Sequence, residues 1–282
     1  MLYPIIGSLA LAAGTVSEKI LLKSKKLKIY SYQTLSFLLI SLLLIPLLFF
    51  FWKMDSPAIE TKNIIIFIGI IAISLTANLF TFYSLKWEKV SATESARILE
   101  PLLVILLTLI FSFFIDSGLY NKNPKVLLPA LIAAAALIFS SVKKHHLSFN
   151  KYVLAAIAGS FFFALELVIS RLILDYYSPF TFYFFRCFGI FIFSIIILHP
   201  KLSDIDNKVK LYSVCIAAIW IVYRIALYYG YIQLGVLFTT LLVMLAPVFV
   251  YLFAFIFLKE KPTWRNILAS AIIIGCVIWA IF

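Results

Sequence analysis

Six ionisable residues stand out inside long apolar stretches of this 282-residue chain: Glu94, Arg97, Glu100, Glu166, Arg186 and Arg224. A charge at the centre of a membrane helix costs about 3 kcal/mol unless it is paired or faces water, so such residues point to a site. Glu94, Arg97 and Glu100 follow one another at i, i+3 steps. That spacing puts them in a stripe on one helix face, where Arg97 can meet either acid. Glu166, Arg186 and Arg224 come from three different stretches, and each falls about 4 to 5 Å to the same side of its span's centre. Glu100 falls about 3 Å to the other side by the same arithmetic. Two chemistries suit the set. The acids and bases can neutralise one another and tie helices together. Alternatively, one guanidinium fork stays free for a carboxylate or phosphate of a substrate. Three acids balance three bases, which fits a zwitterionic amino acid better than a phosphate, since a phosphate calls for a net positive pocket.

The elements that position these residues follow from composition. Hydrophobic residues make up 64% of the chain and charged residues 13%, about half the charged share of a soluble domain. No segment is polar enough to form a soluble domain. About 20 apolar residues at 1.5 Å per residue cross the hydrocarbon core. Ten stretches meet that length, near 2–22, 31–52, 63–87, 90–115, 125–142, 152–174, 178–199, 211–231, 235–258 and 264–282. The expected fold is all-α and integral to the membrane. Met1 precedes a span holding Glu18 and Lys19, with no basic leader and no small-residue cleavage site, so no removed signal peptide is expected.

The segment from Val236 to Glu260 repeats, in outline, the segment from Val90 to Phe114, with eight of 25 positions identical at an offset of 146 residues. The identities include Thr93 with Thr239, Pro101 with Pro247, and Ile110-Phe111 with Ile256-Phe257. Each proline lacks an N–H and frees a carbonyl four residues back, that of Arg97 in one copy and of Val243 in the other. Such a proline either kinks a helix or opens a coordination point. With Lys143, Lys144, His145, His146 and Lys151 marking the link, the halves are 1–147 and 148–282, five spans each. An odd number of spans per copy makes the repeats inverted, with a pseudo-twofold axis in the membrane plane. At the same offset Asn78 aligns with Arg224, placing it on the opposite wall of a central cavity. Tyr83, Trp220, Tyr223, Tyr228 and Tyr229 offer stacking and hydrogen bonds there, although tyrosine and tryptophan also gather at membrane interfaces.

The stretch from Leu245 to Trp279, with its proline-bearing helix ending in Glu260-Lys261 and a late Gly275, resembles the closing helices of the EamA-like branch of the drug/metabolite transporter superfamily. Ser178-Pro179 opening a helix that contains Arg186, and Phe82-Tyr83-Ser84-Leu85 closing the third span, are similar to the same pattern. Phe114 departs from it, standing where Glu260 has its counterpart. The resemblance implies a ten-helix carrier with a central cavity that moves small polar or amphipathic metabolites such as amino acids, sugars, phosphorylated sugars or drugs.

The expected function is secondary transport, as exporter or exchanger, by alternating access around a midplane cavity lined by Arg224, Arg186, Glu166, Glu100, Arg97, Glu94, Asn78, Tyr83 and Tyr228. A scaffold or receptor that kept the carrier fold is the alternative, because fold does not fix function. An enzyme is not expected: the chain has no HExxH, GxSxG or phosphate-cradling glycine loop. No metal and no cofactor is expected, since Cys187, Cys215 and Cys276 stand alone inside apolar spans and His145-His146 has no partners. Net charge of +12 sits in short loops, where it contacts anionic lipid; a nucleic-acid partner is not expected. The partners are a small-molecule substrate and the bilayer of the cell membrane, for a monomer or a homodimer. Sixteen of the 24 Lys and Arg flank the loops after odd-numbered spans and five those after even-numbered spans. By the positive-inside rule the odd loops are cytoplasmic and both termini face outside. The family resemblance implies the reverse.

Overall fold

The computed structural model describes residues 2–22, 27–87, 97, 99–115, 118–120, 123–141, 150–203, 205–258 and 263–282. These residues form α1 (Leu2–Leu22), α2 (Ile29–Phe51), α3 (Thr61–Trp87), α4 (Leu99–Phe114), α5 (Pro124–Ser141), α6 (Lys151–Ser170), α7 (Pro179–Leu198), α8 (Asn207–Leu234), α9 (Val236–Val243), α10 (Ala246–Leu258) and α11 (Trp264–Ile281). Eight stretches are long and apolar enough to cross a membrane, and Leu99–Phe114 and Pro124–Ser140 are shorter apolar helices. Together they account for ten spans, the ninth built from α9 and α10. The protein is therefore an all-helical, multi-pass membrane protein.

Local sequence explains the boundaries. Ser178 caps α7 by accepting from the Thr181 N–H at 3.1 Å, with Pro179 at the first helical position, where a missing N–H costs nothing. Asn150 caps α6, and Asp206 caps α8. Between α8 and α9 the chain turns at Gly235 with φ of +80°, a conformation that a Cβ disfavours. The ninth span, expected as one helix over 235–258, is interrupted at Met244 and Leu245. Pro247 lies just beyond the interruption and cannot donate to the Val243 carbonyl, so the helical ladder lapses there. The sixth span ends at Ser170, four residues earlier than expected, because the residues that follow turn across the end of the bundle.

The helices pair in a pattern that maps onto itself when span n is exchanged with span n+5. α3 packs along α6 and α1 along α8; α4 meets α6, and α9 with α10 meets α1; α2 crosses α7, and α5 lies against α11. This is the arrangement that two inverted five-helix repeats require. Close approach depends on small residues. A Cβ added to Gly159 of α6 would stand 2.7 Å from Thr81 Oγ1 of α3, so the α3–α6 contact is built for glycine. Outward faces carry exposed Phe49, Phe50, Phe113 and Phe114, which suits contact with lipid tails.

At the face that bears the termini, the α2–α3 link is sewn to the α6–α7 link. Met54 and Tyr177 form an isolated antiparallel bridge, flanked by Asp55 N–H donating to Tyr176 O at 2.8 Å and Ser178 N–H donating to Lys53 O at 3.0 Å. Phe51 stacks on Phe180 with centroids 4.4 Å apart, and the Tyr177 ring packs against Phe67 and Phe182. At the opposite face Lys19 donates to Leu85 O at 2.5 Å, Lys86 to Leu27 O, and Ser31 to Lys201 O at 3.1 Å. The links at the termini face tie the two halves together, as does Ser31–Lys201 at the opposite face, whereas Lys19–Leu85 and Lys86–Leu27 join spans of the first half.

The charge count gives a direct expectation for orientation. In a background lacking the three native cysteines, a cysteine at exposed Ser56 should react with an impermeant maleimide on intact cells, and one at exposed Ser203 only after permeabilisation. The opposite labelling pattern would contradict the charge rule for this chain.

Candidate functional site

Near the middle of the bundle one carboxylate serves two guanidinium groups. Glu166 of α6 is fully buried; its Oε1 lies 2.9 Å from Arg186 Nε of α7, and its Oε2 lies 3.2 Å from Arg224 Nη1 of α8. Ser170 Oγ donates to Oε1 at 3.2 Å and the Tyr228 hydroxyl donates to the same atom at 3.4 Å. Arg186 Nε also donates to Ser74 Oγ of α3 at 3.0 Å. Four helices therefore meet on a single charge cluster. Arg224 lies over the Phe163 and Tyr223 rings at 5.5 and 5.6 Å, and Arg186 over Tyr183 at 5.9 Å. These faces supply cation–π attraction inside the bundle.

Arg186 and Arg224 form one end of a cavity of about 50 Å³, which holds a few waters or a small polar head group but not a whole metabolite. Its walls come from both halves. Ser36, Asn78 and Thr81 of α2 and α3 face it, with Glu18 of α1, Arg97 ahead of α4, Glu100 of α4, and Trp220 and Tyr223 of α8. Leu11, Phe37, Ile40, Phe82 and Phe163 supply apolar patches between the polar groups. Asn78 is held by its own Nδ2 donating to Ser74 O at 2.7 Å, so Ser74, Asn78 and Thr81 make one polar stripe along α3 at i, i+4 and i+7. Ser36 Oγ, Thr81 Oγ1 and Arg186 Nη2 are buried with no hydrogen-bond partner among the described residues. Unsatisfied groups of this kind inside a bilayer are expensive. A second space, near 430 Å³, lies where α4 meets α6 and is lined by Leu99, Leu102, Leu103, Ile157 and Phe161, among other apolar residues. It offers no polar group and faces outward, so it carries no chemistry.

Toward the termini the cavity is closed by side chains. Phe182 packs edge-on against Tyr228 at 5.1 Å, Tyr120 donates to Val168 O at 2.6 Å, and Ile173, Leu174 and Tyr177 are buried under the linked loops. The open volume lies on the other side of the Glu166 cluster, among the later residues of α1 and α3 and the first turns of α4.

Of the residues expected at the site from sequence, the structure places Arg224, Arg186, Arg97, Glu100 and Asn78 on the cavity. Glu166 stands behind it, spent on the two arginines, and Tyr228 stands with it. Tyr83 is elsewhere: its ring meets Tyr152 at 5.4 Å, at the ends of α3 and α6, because residue 83 is two positions past Thr81 and points off the polar stripe. Glu94 falls outside the described residues. Glu18 was not expected, yet it is 3% exposed and faces the cavity. Its place four residues from the end of α1 reads as a flank by depth, but Leu11, Thr15 and Glu18 share one helix face, and that signal was available.

The shared counter-ion generates a stability prediction. Glu166→Ala leaves two buried guanidinium groups side by side with no acid between them, and should cost about 3–5 kcal/mol. Unfolding of the purified protein in detergent measures this. A variant as stable as the parent would show that the cluster does not hold the helices.

Comparisons with known proteins agree with this architecture. Residues 150–282 match the model of the EamA-like transporter family. A protein of known crystal structure superposes with a TM-score of 0.73 at 17% sequence identity, covering 99% of this chain and 97% of that one. At that identity the likeness speaks for the fold. No curated protein matches the chain in sequence. The resemblance read from Leu245 to Trp279 is borne out, and the second half of this ten-span membrane protein is similar to the EamA-like transporter family, of the drug/metabolite transporter kind.

Proposed function

We propose that the chain is a secondary transporter of small polar metabolites such as amino acids, exporter or exchanger, working by alternating access around the cavity at Arg186 and Arg224. The observation that carries this reading is the partly satisfied arginine pair. Glu166 takes one edge of each guanidinium, and Arg186, which lines the cavity, has its Nη2 buried with no hydrogen-bond partner among the described residues. A group that accepts from a planar donor, above all a carboxylate, completes such a site. Glu166 cancels part of the charge, so the site attracts an anion without holding it as firmly as two free arginines would. The halves 1–147 and 148–282 are the bodies that would rock, and the family match of the second half supports the carrier reading. The 50 Å³ volume means that admission requires the helices to part.

Two experiments follow, both on protein reconstituted in vesicles with L-amino acid uptake or counterflow as readout. Arg224→Lys keeps the charge opposite Glu166 but loses the fork. Transport should fall at least tenfold while the unfolding temperature stays within a few degrees. Equal loss of stability and transport would make the residue a structural tie instead. The second concerns the linked loops. Met54 and Tyr177 are a non-hydrogen-bonded antiparallel pair, with Cα atoms about 4.5 Å apart in such geometry, within disulfide reach. Met54→Cys with Tyr177→Cys should therefore lock the termini face, stopping transport when oxidised and restoring it with a reductant. Undiminished transport in the oxidised protein would show that this face need not open.

A further inference from the structure

Glu18 is the buried acid of the site that sequence did not single out. It is the seventeenth residue of α1, and Glu166 is the sixteenth of α6. α1 and α6 are the first helices of the two halves, and each carries a buried acid in its second half. Their surroundings differ. Glu166 is shut away from the cavity and neutralised by two arginines. Glu18 faces the cavity, accepts a hydrogen bond from Tyr32 at 2.9 Å, and has the Trp220 indole and the charge of Arg97 near it. Arg97 shares this wall, but its Nη1 donates to Thr15 Oγ1 at 3.3 Å, one turn before Glu18. A carboxylate that is 3% exposed, oriented by a tyrosine and offset only through the charge of Arg97 rather than by a direct ion pair like those of Glu166, is costly to keep buried in a cavity wall.

We propose, resting on the transport reading above, that Glu18 binds the ammonium group of the substrate, while Arg186 and Arg224 take its carboxylate. The cavity then has an acid pole on α1 and a basic pole on α7 and α8. A zwitterion aligned between them adds no net charge to the interior, which suits a site whose own acids and bases balance. Apolar Leu11, Phe82 and Trp220 beside Glu18 leave the substrate side chain a hydrocarbon wall. Glu18 is thus a specificity residue: it distinguishes an amino acid from the same molecule without its amine.

The test uses pairs of probes that differ only in that group. L-alanine, L-leucine and L-phenylalanine are each compared with propanoate, 4-methylpentanoate and 3-phenylpropanoate, by inhibition of counterflow and by ligand-induced shifts in unfolding temperature. The parent protein should prefer at least one amino acid over its des-amino partner. Glu18→Gln should weaken that amino acid about tenfold to a hundredfold, the range for a hydrogen bond to a charged group, and leave the des-amino acid unchanged. Glu18→Asp, which keeps the charge, should recover part of the preference, and ligand-free unfolding temperatures establish that both variants fold. A Glu18→Gln protein with the preference intact overturns the assignment and leaves the transport reading standing, as does equal weakening of both members of a pair. A parent protein that neither binds nor transports any of the six probes overturns the amino acid reading and the role of Glu18 with it.

Discussion

Inside the bundle there is little water to share the charge of two guanidinium groups, and a single carboxylate does it instead. Glu166 holds Arg186 and Arg224 at 2.9 and 3.2 Å, and through them joins α6, α7 and α8; Ser74 brings in α3. Separating a buried ion from its partner costs several kcal/mol, so these four helices are constrained to meet at that point. The cavity exists because the cluster is asymmetric. One side of the arginines is filled by the acid and backed by Tyr228 and Phe182. The other side is left to the polar faces of α2 and α3 and the acids of α1 and α4.

The same constraint ties function to symmetry. In this state the packed side of the cluster lies toward the termini face, where the links around Met54 and Tyr177 are hydrogen-bonded together. The cavity lies toward the other face, where Lys19, Lys86 and Ser31 cross between helix ends. Those lateral ties are few and mostly to backbone carbonyls, whereas α3 against α6 and α1 against α8 are long contacts built on small residues such as Gly159. On the transport reading, helix pairs that span the two halves would act as firm rails, and the ties joining the halves, residues 53–55 with 176–178 and Ser31 with Lys201, are what would part. On that proposed reading, a bundle organised this way would close one end as it opens the other.

Much of this was legible in the sequence, for reasons of length and charge. Ten spans follow from the thickness of hydrocarbon and a rise of 1.5 Å per residue, and they recur with shifts of a few residues. Glu166, Arg186 and Arg224 were identifiable because buried charge is rare, and depth counting put them in one plane. Other features have no such signature. Backbone bonds between the links at 53–55 and 176–178 leave no mark on side-chain type. Pro247 announced a freed carbonyl at Val243, but not that the helix would stop at Met244 and Leu245. Glu18 was hidden by its distance from the middle of α1, and Tyr83 misled because stacking on Tyr152 looks the same in sequence as facing a cavity.

The central claim is that the two faces open in opposition about the Glu166 cluster. Spin labels at Ser56 and Asp175 report the termini face, and labels at Lys28 and Ser203 the other, each pair in protein stripped of native cysteines. Double electron–electron resonance in lipid nanodiscs should show two distances for each pair. Conditions that lengthen the Ser56–Asp175 distance should shorten the Lys28–Ser203 distance, and saturating substrate should change the balance. A single distance at both faces, unchanged by substrate in protein that transports, would contradict alternating access about this cluster.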